Sequence, residues 1–76
     1  MNLAKYYGKR VKIETKDGTV FVGDVNDYFE PEDNENGQES IIVDTAPHGK
    51  RPIEFYPFDI HYPQLSEVNH KLDFLL

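Results

Sequence analysis

Two runs of alternating apolar and polar residues, joined by Asp17-Gly18 and interrupted once by Gly23, constrain this chain more than any other feature. An Asp-Gly dipeptide tolerates the positive φ of a tight turn, so residues 10–15 and 19–29 form a β-hairpin. Val11, Ile13 and Thr15 share one face of the first run, and Arg10, Lys12 and Glu14 share the other. Phe21 and Val25 share a parity in the second run, with Gly23 between them. A lone glycine inside a strand marks a bulge, a bend or a close backbone approach, which is what the corner of a small barrel requires.

The remainder of the chain extends this pattern. Residues 30–37 combine proline, glycine, asparagine and like charges, so they form an exposed loop inside a second hairpin. The β-branched residues 40–45 are a third strand, residues 46–50 a turn-rich link, and residues 52–56 a fourth strand. Pro57-Phe-Asp59 turns the chain again. Residues 60–62, extending toward 65, form a short fifth strand, with Pro63 at a sheet edge or strand end because it has no N–H to give a ladder. At the start, Asn2 can cap a short helix over residues 3–7 that Gly8 ends, provided Leu3, Tyr6 or Tyr7 packs on the sheet. In residues 66–76, Val68, Leu72 and Leu75 lie at helical spacing and Ser66 can cap them. The expected architecture is all-β: a small, strongly bent, five-stranded antiparallel barrel over residues 1–65 behind a short N-terminal helix, followed by a tail over residues 66–76.

With 76 residues, the chain supplies one core and a small stability margin, so oligomerisation is a natural way to bury more apolar surface. It has no cysteine, which removes disulfides and zinc-thiolate sites and suits a cytoplasmic protein. No run approaches the roughly twenty apolar residues of a membrane span, and the first residues lack the apolar stretch of a secretory signal. The net charge is −6, against the phosphate neutralisation that gives nucleic-acid coats their affinity. That charge is unevenly placed. Seven acids and no base fall between Asp24 and Glu39, whereas the first sixteen residues hold five bases against Glu14.

Taken together, Gly8, Val11, Ile13, Asp17, Gly18, Phe21, Gly23 and Val25 resemble the first motif of the Sm-like (LSM-domain) family. Ile53, Phe55, Pro57-Phe-Asp59, Ile60 and Tyr62 are similar in outline to its second motif. The resemblance implies a five-stranded barrel of the Sm-like or SH3-like kind, assembled as a homo-oligomer through the edges of strands four and five, with RNA or a nucleotide bound at its loop rim. Counting from Gly23, the family's loop asparagine falls on Asp33, one step before Asn34, and its acid four residues earlier falls on Phe29. The family's arginine-glycine pair is replaced by Tyr56-Pro57, a ring and a hydroxyl without a guanidinium. Tyr28, Phe29, Asp33, Asn34 and Tyr56 are therefore the RNA-binding candidates, as stacking rings and amides beside the loops.

Phe21 and Phe55 are assigned to the core. Lys9, Arg10, Lys12 and Lys16 form a basic patch, read either as solvent-facing charges, as phosphate contacts, or as the counterpart of a neighbour's acidic loop. Glu32-Asp-Asn34-Glu-Asn36-Gly37 opens like a calcium loop, but Val43 occupies the place of the bidentate glutamate, so a solvated acidic loop is favoured. His48, His61 and His70 have no partner at ligand spacing. No nucleophile with a base and no phosphate-cradling loop is visible, so the reading is a module without catalysis, metal or cofactor. Two functions remain: an Sm-like assembly that binds RNA or a nucleotide, or a protein-interaction adaptor that engages a partner through its acidic loop or its apolar C-terminal tail.

Overall fold

A computed structural model describes residues 2–45 and 52–68, with side chains described throughout except at residues 62–66. Five strands, β1 (Arg10–Thr15), β2 (Val20–Phe29), β3 (Ser40–Asp44), β4 (Ile53–Phe55) and β5 (Ile60–Glu67), follow a single 3-10 turn at Leu3–Tyr6. They form one antiparallel sheet in the order β4-β3-β2-β1-β5, curled into a half-barrel.

Curling is centred on β2. Its first half pairs with β1, from Glu14↔Val20 to Arg10↔Asp24, and its second half pairs with β3, from Asp24↔Asp44 to Phe29↔Ser40. The changeover falls at Gly23-Asp24. A shift of register between Val25 and Asp27, where Asn26 is the extra residue, adds to the bend. Gly23 is buried, and a Cβ there would lie 2.3 Å from the Asp44 carbonyl oxygen, so the glycine allows the end of β3 to approach β2 closely at the bend. Gly18 sits at φ +87 in the tight turn, where the Thr15 and Thr19 backbones close the hairpin at 2.9 Å. The Asp17 carboxylate accepts from the Thr15 hydroxyl and the Thr19 N–H, and these bonds, the Thr15 one foremost, hold its pKa below the ordinary carboxylate value.

Inside the curl lie Leu3, Val11, Ile13, Val25, Ile41, Val43, Phe55 and Ile60, with Tyr6, Phe21, Tyr28 and Ile53 packed against them. The alternation expected in β1 is present, with Val11 and Ile13 buried and Lys12 exposed. At the N-terminus the helix is one 3-10 turn, because four residues are too few for an α-helical ladder. Asn2 Oδ1 accepts from the Ala4 N–H at 3.1 Å, as a cap should. Leu3 supplies the anchor, Tyr6 is half-buried, and Tyr7 is exposed.

Strand β5 is longer than residues 60–62 because the chain passes through Pro63 without needing its missing N–H. Thr15 pairs with Ile60 and Ile13 with Leu65, so two steps of β1 oppose five of β5, and Pro63 lies in the stretch that skips pairing. Ser66 is part of this strand, paired with Lys12 rather than capping a helix, and the Val68 N–H reaches the Arg10 carbonyl at 2.8 Å. The expected link at residues 46–50 lies outside the described residues apart from Thr45 before it, as do His48, His70, Leu72 and Leu75. No helix among the described residues is long and apolar enough to cross a membrane.

Candidate interaction edge and loop rim

The β2–β3 loop and the β4–β5 turn meet at one rim, joined by a chain of side-chain hydrogen bonds. Asn34, at the end of a 3-10 turn over Pro31–Asp33, donates through Nδ2 to the Gln38 carbonyl at 2.7 Å and to Ser40 Oγ at 3.0 Å. Ser40, fully buried at the head of β3, donates its hydroxyl to Glu54 Oε2 at 2.7 Å. Glu54 in turn faces Tyr56. Burial first, and then the Glu54 charge and hydrogen bond, raise the Tyr56 hydroxyl pKa above its ordinary value. Ser40→Ala removes the link between loop and edge strand. It is expected to cost about 1.5 kcal/mol, because Glu54 can recover water while Asn34 keeps one of its two bonds. A fall in the urea midpoint at unchanged slope checks it.

Tyr28 belongs to a second cluster. Glu39 Oε1 accepts from the Leu3 N–H at 2.8 Å and from the Tyr28 hydroxyl at 3.3 Å, tying the N-terminal turn to the second hairpin. Burial, followed by the Glu39 charge, pushes the Tyr28 pKa up. Phe29 is half-buried opposite Ser40, and Asp33 is exposed on the turn. The rim thus brings Asn34 and Tyr56 together through Ser40 and Glu54, whereas Tyr28 is engaged with the core and Glu39.

Acids dominate the surroundings. Glu30 hydrogen-bonds Glu32 and feels the Glu32 and Asp33 charges, so it holds its proton above the ordinary range, while backbone bonding and Glu30 lower Glu32. Val43, in the place where a calcium loop needs its glutamate, is buried in β3. The basic candidates do not make a continuous positive surface. Lys9 pairs with Glu67 at 3.4 Å and Arg10 with Asp24 at 3.3 Å, while Lys12 and Lys16 are exposed. Beside them His61 Nδ1 lies 3.2 Å from Glu14 Oε2.

A further apolar feature lies beside β4. A groove of about 460 Å³ runs between this end strand and the β1–β2 turn. Phe21 and Phe55 form part of its lining, edge to face at 5.3 Å and 63°. Ile53 is half-buried in it, and Phe58, from the turn at Pro57–Asp59, is 52% exposed. The Phe58 ring stacks on Tyr56 at 5.2 Å and 2°. Lys16, Asp17, Glu54 and Asp59 supply its charged lining. The turn is fixed by the Tyr56 N–H donating to Asp59 Oδ2 at 3.0 Å and by the Lys16 N–H donating to the Asp59 carbonyl at 3.2 Å.

Sequence reasoning named Tyr56 but missed Ser40, Glu54 and Glu39, whose roles depend on contacts across strands. Phe58 could have been found there, since an apolar ring in a three-residue Pro-Phe-Asp turn has little room to point inward. No family model matches the chain, and neither a curated protein nor a solved structure matches it.

Proposed function

We propose that this chain is a non-catalytic Sm-like assembly module whose copies join through the ends of the curled sheet, with the β4 edge and its groove as the receiving surface. The supporting observation is the open end of the sheet. Among the described strands β4 has a neighbour on one side only, and it lies beside an apolar groove bordered by a half-exposed phenylalanine. An unpaired edge next to apolar surface is a template for another strand. β4 is only three residues long and carries the exposed Glu54, so backbone pairing alone is too little and the groove supplies the affinity.

The stacked Tyr56–Phe58 pair supports the second reading, RNA or a nucleotide at the rim, because a half-exposed ring held parallel to its neighbour can accept a base on its free face. The first reading is preferred because Glu54 stands against Tyr56, and Asn34 already spends its amide on Gln38 and Ser40.

Sedimentation velocity over a range of concentrations tests the proposal. We expect a mass above the 8.8 kDa monomer that falls on dilution, and weakened association in Ile53→Lys, which puts a charge at the half-buried edge. Single-stranded RNA is expected to show no salt-sensitive binding in a filter assay. A monomer at every concentration removes the assembly reading, and RNA affinity that falls with salt favours the second one.

A further inference from the structure

We propose that the groove beside β4 recognises an arginine side chain on an extended peptide segment of a partner protein, with apolar residues two positions to either side of that arginine. This rests on the reading that the β4 end of the sheet receives a polypeptide, and it does not need that polypeptide to be a second copy.

Charge selects the side chain. Asp17, Glu54 and Asp59 line the groove against one ammonium, that of Lys16, which is exposed and within ion-pair distance of no described carboxylate. Asp17 accepts from the Thr15 hydroxyl and the Thr19 N–H, Glu54 from the Ser40 hydroxyl, and Asp59 from the Tyr56 N–H. These donors are neutral, and an ionised carboxylate has about four acceptor sites, so they orient the three charges without cancelling them. Any occupant that closes over the groove strips water from these groups. An apolar one would leave negative charge unpaired, and an anionic one would add repulsion.

The exposed ring decides between the two cationic side chains. Phe58 stacks on Tyr56 through one face and is 52% exposed, which leaves its other face open in a groove that also presents Glu54 and Asp59. A guanidinium is planar and weakly hydrated, so it lies flat on a ring while its edge forks to a carboxylate. An ammonium is a compact, strongly hydrated point charge without that fork.

The open strand makes the ligand a peptide. Among the described strands β4 is paired only with β3, so its outer backbone groups can accept a further strand, along which side chains alternate. An arginine that faces the groove has its same-face neighbours two residues away, and Phe21, Ile53 and Phe55 offer them apolar lining.

The test is a titration of the isotope-labelled full-length protein, followed by amide chemical shifts. Its probe is an end-blocked peptide with one arginine, and a leucine at the second position on either side, in a glycine-serine background. Shifts are expected at residues 53–59 and in the β1–β2 turn. The dissociation constant should rise about tenfold when citrulline, equally planar but neutral, replaces the arginine. In Phe58→Ala and in Glu54→Gln it should rise at least about fivefold. Both positions are exposed and glutamine keeps an acceptor for Ser40, so these variants retain the fold. Equal binding of the arginine and citrulline peptides, shifts confined to residues away from the groove, or no shift at millimolar peptide overturns the inference. So does single-stranded RNA that shifts these residues where the peptide does not. Sedimentation without peptide reports on assembly separately. A monomer that binds the peptide removes the second copy and upholds this inference, and an oligomer that ignores the peptide does the reverse.

Discussion

Gly23→Ala is expected to destabilise the chain by about 3 kcal/mol, at the upper end of what overpacking a tight site costs. The added methyl would fall 2.3 Å from the Asp44 carbonyl oxygen and 2.9 Å from both the Asp44 carbonyl carbon and Val43 Cγ1. Two of those three atoms are backbone, so no rotamer change relieves the clash. Retreat of β3 is resisted on both sides, because Asp24↔Asp44 and Val25↔Val43 fix its register while Ile41 and Val43 are buried in the core. Conformation is not the difficulty, since Gly23 is not among the described glycines with positive φ, which are Gly8, Gly18 and Gly37. For a domain of this size total stability is about 4–11 kcal/mol, so the substitution removes about a quarter of it or more. The melting temperature should fall by about 12–24 °C. Gly18→Ala is the comparison: nothing lies within 4 Å of its added methyl, and the strain of φ +87 alone should cost about 1 kcal/mol. Equal losses at the two positions would mean that β3 does not approach β2 at Gly23 as closely as this geometry requires.

The same glycine explains how much of the fold was legible in the chain. Alternation about Gly23 and the Asp17-Gly18 turn dictate a hairpin that must bend, and the further strands follow from β-branched runs separated by turn residues. What stayed hidden depends on partners far along the chain. The bulge at Asn26 falls just past the point where β2 changes partner from β1 to β3, and no local residue announces that change. Pro63 reads as a stop when taken by itself, yet β5 continues past it because the unpaired stretch opposite Ile13–Thr15 needs no donor there. At the rim, Asn34 and Tyr56 were legible as polar and aromatic groups beside loops. The carboxylates that claim or surround them, Glu54 through Ser40 and Glu39 at Tyr28, were not, because their contacts span 14 and 11 residues. The sequence shows which groups can bind, and only the fold shows which are already engaged.

Phe55→Ala should have an effect as large as that at Gly23, and its consequences reach the proposed assembly. Truncating a buried phenylalanine costs about 3–5 kcal/mol. Phe55 is 3% exposed, whereas Ile53 is half-buried and Glu54 exposed, so this one ring anchors the three-residue β4. Its loss also takes away the edge-to-face partner of Phe21 and part of the groove wall. We therefore expect β4 amides to exchange hydrogen faster in the variant than those of the β1–β2 hairpin, since the end strand is released before the bent ribbon unfolds. Phe55→Leu keeps most of the volume and should cost less than about 1.5 kcal/mol. Concentration separates the folding loss from the assembly loss. If copies join through this groove, association stabilises the folded wild type by mass action, and its melting temperature rises with protein concentration. That rise should persist in Phe55→Leu and flatten in Phe55→Ala, because the receiving surface goes with the ring. A rise of equal slope in Phe55→Ala would place the contact between copies elsewhere on the sheet.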